Sequence, residues 1–466
     1  MRRISLAVLM LVAVTHTGCG SQVQTQSTTI SDNKKSPRAP QVSSALRSAQ
    51  PVLIYNALIL TADDSKPKIP KGWLLLKNGL ISNMGAGDPP AQIKTEAKNA
   101  IDASGQYVTP GFVDTHSHLG VYAAPNVWAH SDGNEMTNPI TSGVRAEDAF
   151  WPQDPGIQRA VAGGVTTIQV LPGSGNVIGG QGFTLKLHPR REAAAMKFNA
   201  ARNSLKMACG ENPKRVYGKS KKRMPMSRMG SLYLMRKTWF DAKRYRDQWQ
   251  RWREKGQRQN KPAPAVNLNL QTLADVLDNK ILVHIHCYRA DDMLQQIKLS
   301  HEFGYKIRSF HHAVEAYKIR DILAAEEISV STWADWWGFK IEAHDSIEQN
   351  LALLSQAGVK AILHTDSPEG IQRMNQEAAK ALYAGRRQGL EISEHDALKW
   401  ITLNPAWALG IDDKLGSITI GKAADVVIWD RSPLSVYAKA TQVFIDGREV
   451  LERYRHTKWS DFEVKP

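Results

Sequence analysis

Residues 108–120 read Val-Thr-Pro-Gly-Phe-Val-Asp-Thr-His-Ser-His-Leu-Gly. The apolar start of this stretch has the character of a buried strand, and His116 and His118 stand two positions apart where it ends. On a strand, residues i and i+2 share a face, so both imidazoles point the same way and converge on one ion. A lone His-x-His is a weak signal in a chain with 14 His. Its weight comes from repetition: VHIH (283–286) supplies His284 and His286, SFHHA (309–313) supplies His311 and His312, and ILHTDS (362–367) supplies His364 and Asp366. Four clusters of this kind at the ends of apolar runs exceed what satisfied core histidines explain.

Working outward, short apolar runs at 111–114, 165–171, 205–209, 281–285, 308–310, 328–331 and 361–363 alternate with helical patterns. Such alternation predicts an α/β fold, a (β/α)8 TIM-like barrel over 109–414, whose chemistry gathers where the strands end. The flanks differ. Residues 52–87, 418–430 and 442–450 alternate apolar and polar side chains between Gly, Asp and Pro turns, the pattern of short antiparallel strands. One small β-sandwich domain, built from both chain ends (51–108 and 415–466), is expected.

The 466 residues are 42% hydrophobic and 23% charged, which excludes a disordered or collagen-like chain. The formal charge is +15, but residues 186–261 alone hold 23 Lys and Arg against five Asp and Glu, so the rest is slightly acidic. Within this insert, 229–253 reads as a helix with Leu232, Met235, Trp239, Ala242, Trp249 and Trp252 on one stripe. Such a helix could bind nucleic acid or an anionic membrane; the preferred reading is a lid or surface helix packed on the barrel, with no nucleic-acid partner.

Residues 1–19 have the charged start and apolar core of a signal peptide, ending at Cys19, the position of a lipoprotein acylation site. A tether over 20–50 would then hold an exported enzyme, periplasmic or associated with the outer membrane. Cys209 and Cys287 are too few for a disulfide framework; one bridge between them is possible, with two buried free thiols preferred.

At VTPGFVDTHSHLG, AGGVTTI (162–168), HTDS (364–367), NPAWALGIDDKLGSITIGKAADVVIWD (404–430) and VFIDGREV (443–450), the sequence resembles the amidohydrolase superfamily, in its imidazolonepropionase-like and prolidase-like branch. The resemblance implies a divalent metal site, one or two ions, with Zn first and Mn or Fe as alternatives. His116, His118, His284, His312 and Asp366 would be its ligands, and His311 would point aside. A further bridging ligand would be Lys206, on the inward face by alternation, or Glu211 at the mouth. His286, Tyr288, Arg289 and His364 would contact substrate, Arg289 by pairing with a carboxylate. Residues 332–337, Thr-Trp-Ala-Asp-Trp-Trp, could line a pocket for an apolar or cyclic group or merely anchor a loop.

A Zn2+ in such a set lowers the pKa of its water to about 7, and Asp366 would be the catalytic base. The expected activity is hydrolysis of a carbon–nitrogen bond other than an ordinary peptide bond: a cyclic amide, a dipeptide or an N-acyl amino acid. An anionic small-molecule substrate suits the basic insert, and a homo-oligomer is compatible. A deaminase ranks lower because Cys287 and Arg289 stand where His-x-x-Glu would need Glu. The rival of another class is an anchored polyanion-binding module.

Overall fold

The computed structural model describes residues 50–336 and 338–454. The signal peptide, Cys19, nearly all of the tether, and Trp337 lie outside the described residues. From its first described turn the chain builds β1 (Val52–Leu60), β2 (Lys68–Lys77), β3 (Leu80–Ala86), β4 (Asn99–Asp102) and β5 (Tyr107–Pro110). Asn78 and Gly79, at φ 54° and 81°, make the tight β2–β3 hairpin. Consecutive left-handed residues match the twist of paired strands, and Asn-Gly tolerates them.

The barrel follows as β6 (Phe112–Ser117), β7 (Val165–Val170), β8 (Ile178–Lys186), β9 (Ser204–Ala208), β10 (Leu282–Cys287), β11 (Ile307–His312), β12 (Ser329–Thr332) and β13 (Ala361–Leu363), hydrogen-bonded in sequence order. Seven of these correspond to the apolar runs; β8 does not. It runs antiparallel to both β7 and β9, whereas β9 to β13 are parallel. The short β7–β8 connection cannot hold the dozen or so residues that a parallel crossover requires. Between β13 and β6 the seam is bridged by a neighbouring segment: Leu363 N donates to Trp400 O at 3.0 Å and Val113 N to Ile401 O at 2.9 Å.

The chain returns to the first sheet through β14 (Val426–Trp429), β15 (Ala440–Ile445) and β16 (Arg448–Glu452). The path β16-β15-β14-β5-β1-β2-β3, with β4 beside β1, therefore unites both ends of the chain. It is one continuous sheet; Ile54, Leu74, Val426 and Phe444 share a single buried cluster on its inner face. The first half of this domain extends to Pro110, two residues beyond the expected boundary. At its junction with the barrel, the Lys186 ammonium donates to Asp425 (3.1 Å) and to Asp446.

The basic insert carries a helix over Arg228–Arg251. Its Met235, Trp239 and Ala242 are fully buried, and Trp239 stacks on Tyr305 with ring centroids 4.4 Å apart. The stripe thus belongs to the barrel's outer packing, and among the described residues no helix is long and apolar enough to cross a membrane. The preference for free thiols is corrected: Cys209 and Cys287 form a disulfide with Cα atoms 5.2 Å apart. They follow Ala208 and His286, which are in register on adjacent parallel strands, so the two thiols meet without distortion of either chain.

Candidate metal centre and its pocket

Asp114, on β6, organises the strand end. Its buried carboxylate accepts from His116 N at 3.0 Å and from the Thr365 hydroxyl, tying β6 to the segment after β13. Burial raises its pKa to about 7 despite these bonds. Asp366 N donates to His116 O at 3.1 Å, and a left-handed φ of 51° at Asp366 turns its side chain back over the barrel.

His118 Nδ1 donates to Leu171 O at 2.8 Å, and its Nε2 lies 3.2 Å from Asp366 Oδ1. His116 Nε2 lies 3.6 Å from the same oxygen and 3.3 Å from Lys206 Nζ. His116, His118 and Asp366 bring one donor atom each within 4.8 Å of one another, and so do His116, His312 and His364. His116 belongs to both sets.

The electrostatics favour the ligating forms. Burial, reinforced by Lys206 and the neighbouring rings, holds His116 and His312 well below the ordinary imidazole pKa, and burial lowers His364 to about 3. These rings are neutral and keep a lone pair. Burial pushes Asp366 up, but the His118 hydrogen bond and the nearby Lys206 ammonium outweigh it and hold its pKa below the ordinary carboxylate value. Burial lowers the Lys206 amine to about 8. The donor chemistry, several imidazoles and one carboxylate, fits a divalent transition ion. Nδ1 of His286, His312 and His364 are all buried without a hydrogen-bond partner, an expensive condition that coordination relieves.

The structure thus brings His116, His118, His312, His364, Asp366 and Lys206 together, and it leaves others elsewhere. His284 lies two residues deeper on β10 than His286, and its Nδ1 is engaged with His311 Nε2 at 2.8 Å. His286 is the residue at the mouth, its ring 4.5 Å from His312. His311 does not point aside. It bridges His116 (Nδ1 to Nδ1, 2.9 Å) and His284 inside the barrel. Alternation fails because His312 and Ala313 adopt left-handed φ values of 69° and 39°, so two consecutive rings face inward. With Lys206 donating to His116 Nε2, each ring can donate to the next, His116 to His311 to His284.

Glu211 starts a short helix and lies 3.7 Å from Lys340 Nζ, outside both donor sets. Arg289 is also displaced: its guanidinium is held in a two-point pair by Asp291 (2.8 Å each), and it stands just before the helix Ala290–Phe303 at the surface. Tyr288, in contrast, stacks on His312 at 5.1 Å and lines a cavity of about 510 Å3 with Trp333, Asp335, Trp336, Phe339 and Asp366. Trp333, Asp335 and Trp336 of the 332–337 stretch therefore line a pocket. Phe339 and Lys340 were not read from the sequence, because only the folded loop after β12 brings them to Tyr288.

The amidohydrolase family model matches residues 107–450. Amidohydrolase tasK from Hapsidospora irregularis is 35% identical over 428 residues, 85% of this chain but 43% of that protein, so the chain spans less than half of that relative's length. An imidazolonepropionase from Mesorhizobium japonicum is 23% identical over 388 residues, covering 78% of this chain and 87% of that protein. A solved amidohydrolase from Thermotoga maritima MSB8 superposes with a TM-score of 0.78 at 36% identity, covering 86% of this chain and all of that one. The chain belongs to the amidohydrolase family.

Proposed function

We propose that this protein is a metal-dependent hydrolase that cleaves a carbon–nitrogen bond, in a cyclic amide, dipeptide or N-acyl amino acid, with an activated water. The observation that carries the reading is the pair of donor sets sharing His116, with the ionised Asp366 carboxylate placed between His118 and an open cavity. His116, His118, His312, His364 and Asp366 would hold the ion, with His286 at the mouth beside them; Lys206, 3.3 Å from His116 Nε2, would join the set only if its amine were carboxylated. A bound divalent cation supplies Lewis acidity toward the carbonyl under attack and makes its water more acidic.

The protein's own residues do the rest. The Leu171 carbonyl fixes the His118 tautomer, and His311 fixes the orientation of His116, so neither ring needs to reorganise. Asp366, which lines the cavity, accepts the proton of the attacking water and returns it to the leaving nitrogen. Trp333 stacks on His312 at 4.4 Å and donates from Nε1 to Thr365 O at 3.1 Å, which excludes solvent from that side. The Cys209–Cys287 bridge supports an exported protein, since disulfides persist in oxidising compartments.

The test pairs elemental analysis with a hydrolysis screen of dipeptides, N-acyl amino acids and cyclic amides. Stoichiometric Zn, Mn or Fe and turnover are expected, with Asp366→Asn lowering kcat by about 10²- to 10⁴-fold. A folded, metal-loaded protein that hydrolyses none of these compounds, or an unimpaired Asp366→Asn, would refute the reading.

A further inference from the structure

The cavity over Asp366 is walled by aromatic rings, and the charged groups at its rim already have partners. Asp335 Oδ2 accepts from Lys380 Nζ at 2.9 Å. Lys340 Nζ lies 3.9 Å over the Tyr288 ring, donates to Asn212 Oδ1 at 3.3 Å and stands 3.7 Å from Glu211. Both rim charges are thus engaged with protein partners, and the rings present the larger free face.

The rings themselves form a graded stack. Trp333 is buried on His312, and Trp336 continues outward, its ring 5.6 Å from Trp333 at an interplanar angle of 20°. Phe339 stands edge-on to Trp333 at 5.9 Å. Trp336 and Phe339 remain 40% and 57% exposed. Large aromatic faces left in water beside an active-site carboxylate mark a surface that a ligand covers, and aromatic rings prefer offset or edge-on ring partners.

We infer that the substrate carries a neutral, flat aromatic or heteroaromatic group, bound against Trp336 and Phe339, with its scissile carbon–nitrogen bond over Asp366. This deepens the hydrolase reading and rests on it. It departs from the anionic substrate that the basic insert invited, because among the described residues no Lys or Arg lines this cavity and Lys340 at its rim is already engaged.

The test measures binding separately from turnover. The full chain, loaded with Zn2+, is titrated calorimetrically with N-benzoylglycinamide, N-succinylglycinamide and N-acetylglycinamide, and hydrolysis of each is followed in parallel. The benzoyl compound is expected to bind at least tenfold more tightly than the succinyl compound. Trp336→Ala and Phe339→Ala should each weaken benzoyl binding about fivefold or more, leave succinyl binding unchanged, and raise KM with little change in kcat where turnover is seen. Equal or tighter succinyl binding, no measurable benzoyl binding, or variants that bind the benzoyl compound normally would overturn the inference. Tight benzoyl binding without hydrolysis of any amide would instead count against the hydrolase reading alone.

Discussion

His284 Nδ1 and His311 Nε2 stand 2.8 Å apart, and this pair, buried beneath the candidate metal centre, separates the deeper histidine of β10 from the one at the mouth. Two residues along a strand is a displacement of roughly 6–7 Å. That is enough to take a ring out of one coordination sphere. Burial lowers both rings, His284 to about 3 with help from the Arg308 guanidinium, and His286 well below the ordinary value with help from Lys340 and Lys206.

The two positions should therefore respond differently to substitution. His284→Ala is expected to keep its metal stoichiometry, with affinity reduced by no more than the roughly 10- to 100-fold typical of groups outside the coordination shell. His116→Ala, which removes a donor common to both sets, is expected to abolish stoichiometric binding. Elemental analysis after gel filtration and competition with a chromogenic chelator measure both. Loss of metal from His284→Ala with retention in His116→Ala would reverse the placement.

The contrast shows what the sequence carried. The composite sheet, the barrel and the strand-end clusters were legible because apolar periodicity and Asn-Gly or Asp-Gly turns are local signals. Alternation places both His284 and His286 inside the barrel but says nothing about depth, which the register against β9 and β11 decides. His311 was misplaced because the left-handed backbone at His312 interrupts alternation, and no residue type announces that break. Strand β8 escaped because Ile-Gly-Gly-Gln-Gly offers too little apolar character to mark its start. Arg289 was readable in principle, for its partner Asp291 lies only two residues away.

Arg289→Ala should leave catalysis almost unchanged. The side chains of Arg289 and Asp291 are 42% and 60% exposed, and neither lines the cavity. An exposed pair of this kind contributes about 0.2–1 kcal/mol. The expected result is kcat/KM within about threefold of the parent for every accepted substrate, since 1.4 kcal/mol would be needed for a factor of ten. A large rise in KM confined to carboxylate-bearing substrates would restore Arg289 to the site.

Removing the disulfide should lower stability substantially. Cys209 and Cys287 are 78 residues apart in sequence. In the chain-entropy model, closing a loop of that length stabilises by at most about 4.5 kcal/mol. Cys209→Ser with Cys287→Ser should therefore shift the urea midpoint down by an amount equivalent to about 2–4 kcal/mol, the range usual for native bridges. Thiol titration of the unreduced, denatured parent should find neither Cys209 nor Cys287 reactive. Two reactive thiols there, or an unchanged midpoint in the double variant, would contradict the bridge.

The junction between barrel and β-domain should lose part of its strength in acid. Burial works against the Asp446 carboxylate, but the His188 hydrogen bond (2.9 Å) and the Lys186 ammonium outweigh it and hold its pKa below the ordinary value. A carboxylate depressed in the folded state contributes stability above its unfolded pKa of about 3.9 and loses it as pH falls toward the folded value. Asp446→Asn should therefore be less stable than the parent at pH 7, and the gap should narrow as pH drops below about 4. Urea unfolding of both proteins at pH 7, 5 and 3 reads this directly. Asp425, raised by burial and by Asp446 itself, should be relieved in the variant and so reduce the gap at neutral pH without reversing its trend. A gap that stays constant from pH 7 to 3 would show that Asp446 contributes through shape rather than charge.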